Sequence, residues 1–533
     1  MTVENAQSPS RPNTTGHVTD NNVADRDLKT HLRSSVDLLV VGGGINGAGI
    51  ALDALGRGLS VRLVEQNDFA SATSSNSSKL IHGGLRYLEY YEFRLVREAL
   101  AEREVLLHKA PHLVKPLRFI LPHRPHLRPT WLIRCGLFLY DTLGGRSSLA
   151  RSRSVRFGHQ APLKPEIKKG FEYTDCWVDD ARLVIANLMD ARERGGQIDN
   201  YVCCQNAKPT EDGWLVTLRH TKTSKTEIVQ AKCLVNASGP WAQSFIEGKL
   251  ATRSPRKIRL IKGSHIIVPR THTSVHSYIL QNEDQRIVFV IPYLNDFTII
   301  GTTDKEHQGP PETVAIDDEE IEYLLKVYNN HFRQQLTRQD IVADYSGVRP
   351  LCDDESDDPS AITRDYTLEL ERVADTSPLL SIFGGKLTTY RKLAEAAMRR
   401  LTPVFPRLGE SWTRQSVLPG GDAPRHAVAS EMAQRAAFVP EATRERWLES
   451  YGTRYRLIVG DAQSWPEMGE DFGGGLTAKE VDYLCEQEWA LTPEDILKRR
   501  TKLYLIGPAN LPEKLQRYLA EKSRPASDTA LPC

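Results

Sequence analysis

The feature that most constrains this chain is a stretch of about thirty residues near its start, where an apolar strand runs into a glycine-rich turn and a helix. Residues 36–41 (VDLLVV) are β-branched and apolar, as a parallel strand covered on both faces requires. Gly42, Gly44 and Gly47 follow as G-x-G-x-x-G. Gly42 permits the tight turn, Gly44 removes a side chain that would block a pyrophosphate, and Gly47 lets helix and strand pack closely. Ile45, Ala48, Leu52 and Leu55 keep helical spacing, and Gly58 suits the position just past the helix end. A second apolar strand, SVRLVE, ends at Glu65, eighteen residues beyond Gly47 and placed to accept a ribose hydroxyl. The helix N-terminus offers free N–H groups and positive potential to phosphates. This predicts a dinucleotide-binding unit. Glu65 disfavours the extra phosphate of NADP, but the glycine pattern alone does not separate FAD from NAD.

The rest of the chain is long enough to build more than this unit. Its 533 residues predict two or three domains. Lys plus Arg is 69 and Asp plus Glu is 68, a near-balance that gives no support to whole-protein nucleic-acid binding. No apolar run is long enough to span a membrane. The eight cysteines show no metal spacing, so no metal site is expected; Cys203-Cys204 reads as two buried thiols in a reducing, cytoplasmic compartment. Residues 1–34 are polar and aperiodic, which predicts a disordered tail without export signal. Residues 258–301 alternate like an antiparallel sheet, and 317–320 (DDEE) open a helix to about Leu336. LLSIFGG (379–385) feeds a helix beginning near Thr388. Beyond about 405 the pattern is helical, with a capping box expected at Thr477 and Glu480. The acidic run 353–358 reads as solvated surface.

Residues 112–170 hold twelve Lys or Arg against Asp141 and Glu166, with Trp131, Leu137, Phe138 and Tyr140 among them. A solvated face, a nucleic-acid patch and a face resting on anionic lipid are the three readings. Charge balance and the lack of a nucleic-acid motif put the second last, so no nucleic-acid partner is expected. Basic residues beside aromatic ones favour the lipid face.

SSKLIHGGLRYLEYYEFRLVREAL (77–100) closely resembles the FAD-dependent glycerol-3-phosphate dehydrogenases of aerobic respiration, within the D-amino-acid-oxidase-like flavoproteins. Further blocks with the same likeness are YTDCWVDDARL (173–183), NASGPWA (236–242), KGSHIIV (262–268), GTTD (301–304), SGVRPL (346–351), FGGKLTTYRKLAE (383–395) and EQEWALTPEDILKRRTKL (486–503). The resemblance spans about 36–520. It implies an α/β fold: a Rossmann-like FAD-binding domain, an antiparallel-sheet substrate domain and an all-helical C-terminal domain. The expected division is 35–116, 171–250 and 340–402 for FAD; 117–170 and 251–339 for substrate, including the basic membrane-facing segment; and 403–525 for the helical domain. The resemblance also implies oxidation of sn-glycerol 3-phosphate to dihydroxyacetone phosphate by hydride transfer to flavin N5, with a membrane quinone receiving the electrons. The protein would then lie peripherally on the inner face of the cell membrane, a homodimer being compatible with the sequence.

That chemistry needs fixed cations for a phosphate and a proton acceptor near the reacting carbon. Arg86, Arg349 and Lys386 lie at element ends inside the family-like blocks. His82, before Gly83-Gly84, and His265, on a predicted strand, are the two candidate bases, with His82 preferred; Tyr87 is a candidate for orienting the substrate. The backbone N–H groups of Gly384, Gly385, Leu387 and Thr388 lead into a helix and suit the charge gathered by reduced flavin. Ser74, Ser75 and Lys79 suit pyrophosphate and ring contacts. Ala237 and Gly239 are assigned to the adenine half chiefly by the resemblance. Two rivals stay open: an oxidase of the same fold that passes electrons to O₂ and releases peroxide, and a catalytically silent FAD-binding protein that docks on membranes. A plain NAD dehydrogenase fits the later blocks less well.

Overall fold

The computed structural model describes residues 32–124, 127–145, 147–352 and 365–522. The expected tail, apart from its last residues, and the acidic run 353–358 lie outside the described residues.

The first sheet is built on the glycine-fingerprint unit. Its strands run in the order Thr367–Val373, Ser377–Phe383, Thr226–Asn236, Leu32–Val41, Val61–Val64 and Gln197–Asp199. All neighbours are parallel except Thr367–Val373 with Ser377–Phe383. Leu38, Leu39 and Val40 are fully buried, as expected of a central strand between helical layers. The helices Ile45–Gly56, Asp180–Glu193 and Tyr390–Leu401 pack together against it. Thr226–Asn236 shares one edge between two partners. Its first half pairs antiparallel with Gly213–His220, and its last three residues pair parallel with Leu379–Ser381.

The second sheet has ten strands among the described residues. Ile258–Pro269 pairs over most of its length with Ala343–Cys352 and then with Phe297–Gly301. The sheet continues through Ile287–Tyr293, Ser277–Gln281, Val114–Pro122 and Lys169–Val178 to Leu80–Ile81. Period-2 alternation gives each face its own core. Ile266 and Val268 meet Leu324, Val327 and Tyr328 of the helix Asp318–His331. Ile267, Ile279 and Ile291 face the other way, with Leu100 of Phe93–Lys109 and with Leu137 and Tyr140 of Thr130–Leu143. Lys169–Val178 and Ala343–Cys352 thus belong to the second sheet, although the sequence division placed 171–250 and 340–402 with the first. Apolar alternation marks a strand but not the sheet that receives it.

The C-terminal region carries the helices Arg425–Arg435, Glu441–Ser450, Tyr455–Val459, Ala478–Glu488 and Leu511–Lys522, and one short hairpin, Asp471–Gly473 with Leu476–Thr477. The expected capping box at Thr477 is not formed. Glu480 is fully buried and instead pairs with Arg446, accepting also from Trp447 Nε1 at 2.9 Å and Tyr451 OH at 2.7 Å. A buried carboxylate with a cation and two donors in reach outcompetes a helix-end contact. Capping boxes are found at Asp317 and Glu320, opening Asp318–His331, and at Thr337 and Asp340.

This region is bolted to the first domain by buried ion pairs. Arg500 reaches both oxygens of Asp68, at 2.5 and 2.8 Å, and Arg499 Nε lies 2.5 Å from Asp68 Oδ2. Burial alone would raise the Asp68 pKa, but Arg500 and Arg499 overcome it and hold the carboxyl below its usual range. Arg182 with Glu488 and Lys502 with Asp179 add two further pairs.

Candidate active site

A cavity of about 530 Å³ opens between the two sheets, at the carboxyl ends of the parallel strands. Part of its wall is backbone. Gly42 has φ +117°, and a Cβ there would lie 2.4 Å from the Ala237 carbonyl oxygen. A Cβ on Gly47 would lie 2.0 Å from Gly42 O, so the turn, the helix and the Ala237 segment close on one another only without side chains. Gly44, Ala237 and Gly239 line the cavity beside them. Glu65 accepts from the N–H groups of Gly43 at 2.8 Å and Asn67 at 2.9 Å. Burial raises its pKa against the pull of those N–H groups. Ser74 Oγ accepts from Ile45 N–H at 3.0 Å and so holds the polar loop over the helix start.

Opposite this cradle, Gly384, Gly385, Lys386, Leu387 and Thr388 line the cavity where Ser377–Phe383 ends and the helix Tyr390–Leu401 is about to begin. Asn46 Nδ2 donates to Gly384 O at 3.0 Å, while Asn46 Oδ1 is buried and has no partner. A buried acceptor without a donor, beside a glycine cradle and a helix N-terminus, is what a hydrogen-bonding cofactor in this cavity would satisfy. The residues fit FAD. Gly42, Gly44, Glu65, Ala237 and Gly239 would hold its nucleotide half, and Asn46 with 384–388 its ring half.

The remaining wall is made of side chains. Arg349, on Ala343–Cys352, pairs with Asp304 and donates to Thr303 O at 3.4 Å. Lys386 Nζ sits 4.1 Å from the centre of the Tyr87 ring. Arg86 donates to Tyr90 OH at 3.1 Å. All three cations and Tyr87 line the cavity. His82 lines it too, with its ring 6.3 Å from Phe289 and its backbone N–H donating to Thr388 Oγ1 at 3.3 Å. His265 is buried and stacks on Tyr345 at 4.6 Å. Its Nε2 is 2.9 Å from Ser78 Oγ, and its Nδ1 has no partner. Burial, followed by the charges of Lys79 and Arg349, pushes the His265 pKa down to about 3. Such a ring stays neutral and is a poor proton acceptor at neutral pH.

Ser75 and Lys79 stand outside the cavity lining. Lys79 Nζ donates to Asp180 Oδ1 and to Ser75 O, both at 2.9 Å, and is buried. Asp180 also accepts from Ser77 Oγ at 2.7 Å, so this lysine pins the serine loop rather than meeting a ligand. Asn46, Ser78, Asp304 and Phe289 line the cavity and were not singled out by sequence. Asp304 closes the GTTD block, the one signal that pointed its way.

Outside the cavity, Trp131 and Phe138 of Thr130–Leu143 are 67 and 63% exposed, and Tyr91, just before Phe93–Lys109, is 78% exposed. Leu137 and Tyr140, grouped with Trp131 and Phe138 in the sequence reading, are instead buried on the inner face of Thr130–Leu143. No helix among the described residues is long and apolar enough to cross a membrane.

Comparison with known proteins accounts for both parts of the chain. Residues 37–391 match the family of FAD dependent oxidoreductases, and residues 411–520 match the C-terminal domain of alpha-glycerophosphate oxidase. The chain is 58% identical over 489 residues to a glycerol-3-phosphate dehydrogenase of Pseudomonas tolaasii, covering 91% of this chain and 95% of that protein. It is 55% identical over 487 residues to the aerobic glycerol-3-phosphate dehydrogenase of Escherichia coli, covering 91 and 97%. The solved structure of the glycerol-3-phosphate dehydrogenase from Bacillus halodurans, complexed with FAD, aligns with a TM-score of 0.73 at 28% identity, covering 94 and 93% of the two chains. Fold, cofactor cradle and both matched segments agree: the chain belongs to the FAD-dependent glycerol-3-phosphate dehydrogenase family, within the wider FAD-dependent oxidoreductases.

Proposed function

We propose that this protein oxidises sn-glycerol 3-phosphate to dihydroxyacetone phosphate and passes the electrons to a membrane quinone. One observation carries the reading: Arg86, Arg349 and Lys386 share a single cavity with the glycine cradle. A phosphate dianion is matched by such a cluster, with the planar Arg349 fork engaging two oxygens and Lys386 acting as a point charge. Before substrate arrives, Asp304 holds the Arg349 guanidinium in place. Lys386, resting on the Tyr87 ring, faces the same space.

The bound substrate presents its C2 hydroxyl to His82, which takes the hydroxyl proton, while the C2 hydrogen leaves with both electrons of its bond. Bound FAD supplies the acceptor for that hydride. His265, kept neutral, serves as a hydrogen-bonding wall beside Ser78 rather than as the base. The exposed Tyr91, Trp131 and Phe138 suit contact with a lipid surface, where a quinone is available, and support peripheral attachment there.

The test is anaerobic addition of glycerol 3-phosphate to the purified yellow protein. Bleaching of the flavin band is expected, with no bleaching by glycerol; an unchanged spectrum would refute the substrate. For the membrane, Trp131→Asp and Phe138→Asp together should lower pelleting with anionic vesicles several-fold; equal pelleting removes the lipid contact. The match of 411–520 to an alpha-glycerophosphate oxidase domain keeps O₂ as a second reading for the acceptor. Stoichiometric peroxide, with no reduction of a quinone analogue, would establish that reading.

A further inference from the structure

The His82 side of the cavity rests on a helix with no residue of its own in the proposed chemistry. Thr130–Leu143 turns Trp131 and Phe138 outwards but Tyr140 inwards, where it is 2% exposed. Gly83 N–H donates to the Tyr140 hydroxyl at 2.8 Å. The hydroxyl lies 2.9 and 2.7 Å from the two oxygens of Asp175. Asp175 is buried and pairs with buried Arg103 at 2.7 Å, and Arg103 also donates to Thr174 O at 2.9 Å. A carboxylate only accepts, so the phenol must donate to it and keep a lone pair for Gly83. Burial, reinforced by Asp175, raises the phenol pKa well above its ordinary value, so the phenol holds its proton at neutral pH. Gly83 is fitted to this contact: a Cβ there would lie 2.7 Å from the Tyr140 oxygen and 2.5 Å from Leu100 Cδ2.

The same tyrosine also reaches His82 through rings. Tyr140 meets Tyr173 edge-on at 5.8 Å, and Tyr173 stacks on Phe119 at 5.3 Å. Phe119 meets Phe289 at 6.2 Å, and Phe289 meets His82 at 6.3 Å. The histidine is tied to one buried side chain through its neighbouring peptide and through its ring.

We propose that Tyr140 is a positioning residue: its hydroxyl, clamped by Asp175, fixes the Gly83 peptide and thereby holds His82 in register with the reacting carbon. This rests on the reading of His82 as proton acceptor. A displacement of about 1 Å at a reacting group costs up to roughly 100-fold in rate, so a single hydroxyl at this place has leverage beyond its contribution to stability.

The experiment compares Tyr140→Phe with the wild type as full-length, FAD-bound protein. Amide hydrogen exchange at Gly83 should quicken about 10-fold or more as its acceptor is lost. Flavin reduction by glycerol 3-phosphate should slow by roughly 10- to 100-fold at saturating substrate, with KM within about threefold. Unchanged exchange and unchanged rate would overturn the proposal. So would parallel losses of rate, KM and flavin content, which mark a general loosening. Should Tyr140→Phe fail to accumulate, the wild-type Gly83 amide decides alone: protection equal to that of the strand Lys169–Val178 supports the clamp, and open-loop exchange overturns it. A wild type whose flavin is not reduced by glycerol 3-phosphate refutes the substrate, while the amide measurement still judges Tyr140.

Discussion

Around Gly42 the cavity wall is backbone, set by a turn in which neighbouring chain segments approach to within 2.4 Å of where a Cβ would stand. Around Arg349 the wall is side chains, delivered by strands and turns from 82 to 388. The first surface suits a ligand by the absence of atoms, offering N–H groups and a helix end. The second offers charge and groups that can exchange protons. A backbone wall therefore fails all at once when a single carbon is added. A side-chain wall fails by degrees, one interaction at a time.

The most damaging way to test that contrast is Gly42→Val. A branched side chain at φ +117° and against Ala237 O costs on the order of 3 kcal/mol, or about 100-fold in cofactor affinity. The purified variant should be colourless; flavin retained in equal amount would break the comparison. Next comes Arg349→Ala. Loss of charge-assisted bonds of about 1.5–3 kcal/mol should lower kcat/KM for glycerol 3-phosphate by roughly 10- to 100-fold while the flavin stays bound. Arg349→Lys should recover only part of the loss, because the fork is gone; full recovery would show that only net charge matters.

The pH profile gives a finer comparison within the side-chain wall. With its pKa near 3, His265 is neutral through the range of most assays. His265→Asn should slow flavin reduction without moving the acidic limb of the rate profile between about pH 5 and 8. A shifted limb would return His265 to the role of base. The smallest effect concerns stability. Burial depresses His112 and His265 to about 3 and His272 to about 4, against about 6.5 in an unfolded chain. The unfolded chain then binds protons first. The stability these neutral rings contribute is complete above about pH 6.5 and drains away as pH falls towards 4. His112→Gln should flatten the fall of Tm over that window; an unaltered slope would show that carboxylates alone set it.

These contrasts also explain what could be read from sequence. The glycine cradle is legible because its strand, turn, helix and Glu65 occupy one contiguous stretch, so spacing is geometry. The general architecture is legible for the same reason, element by element. Lys79 misleads because a lysine among serines looks like a ligand for phosphate, whereas its true partner, Asp180, arrives from a helix a hundred residues on. Leu137 and Tyr140 mislead because a basic, aromatic segment does not announce which side of its helix faces inwards, and its burial depends on the sheet beneath. Ser78 beside His265 and Phe289 beside His82 carry no local signal, since each pair joins segments about two hundred residues apart. The sheet membership of Lys169–Val178 was hidden similarly: its pairing with Val114–Pro122 is a long-range register that no window reveals.

The bolt from Arg499 and Arg500 to Asp68 has a consequence for how the protein is made. Asp68 precedes Phe69 and Ala70, and Ala70 N–H donates to Gly43 O at 3.1 Å, beneath the nucleotide half of the cradle. The two arginines follow Asp68 by more than four hundred residues, so the fingerprint leaves the ribosome well before the bolt that braces its floor. Ribosome-stalled chains ending before residue 495 should therefore capture far less flavin than chains that include both arginines.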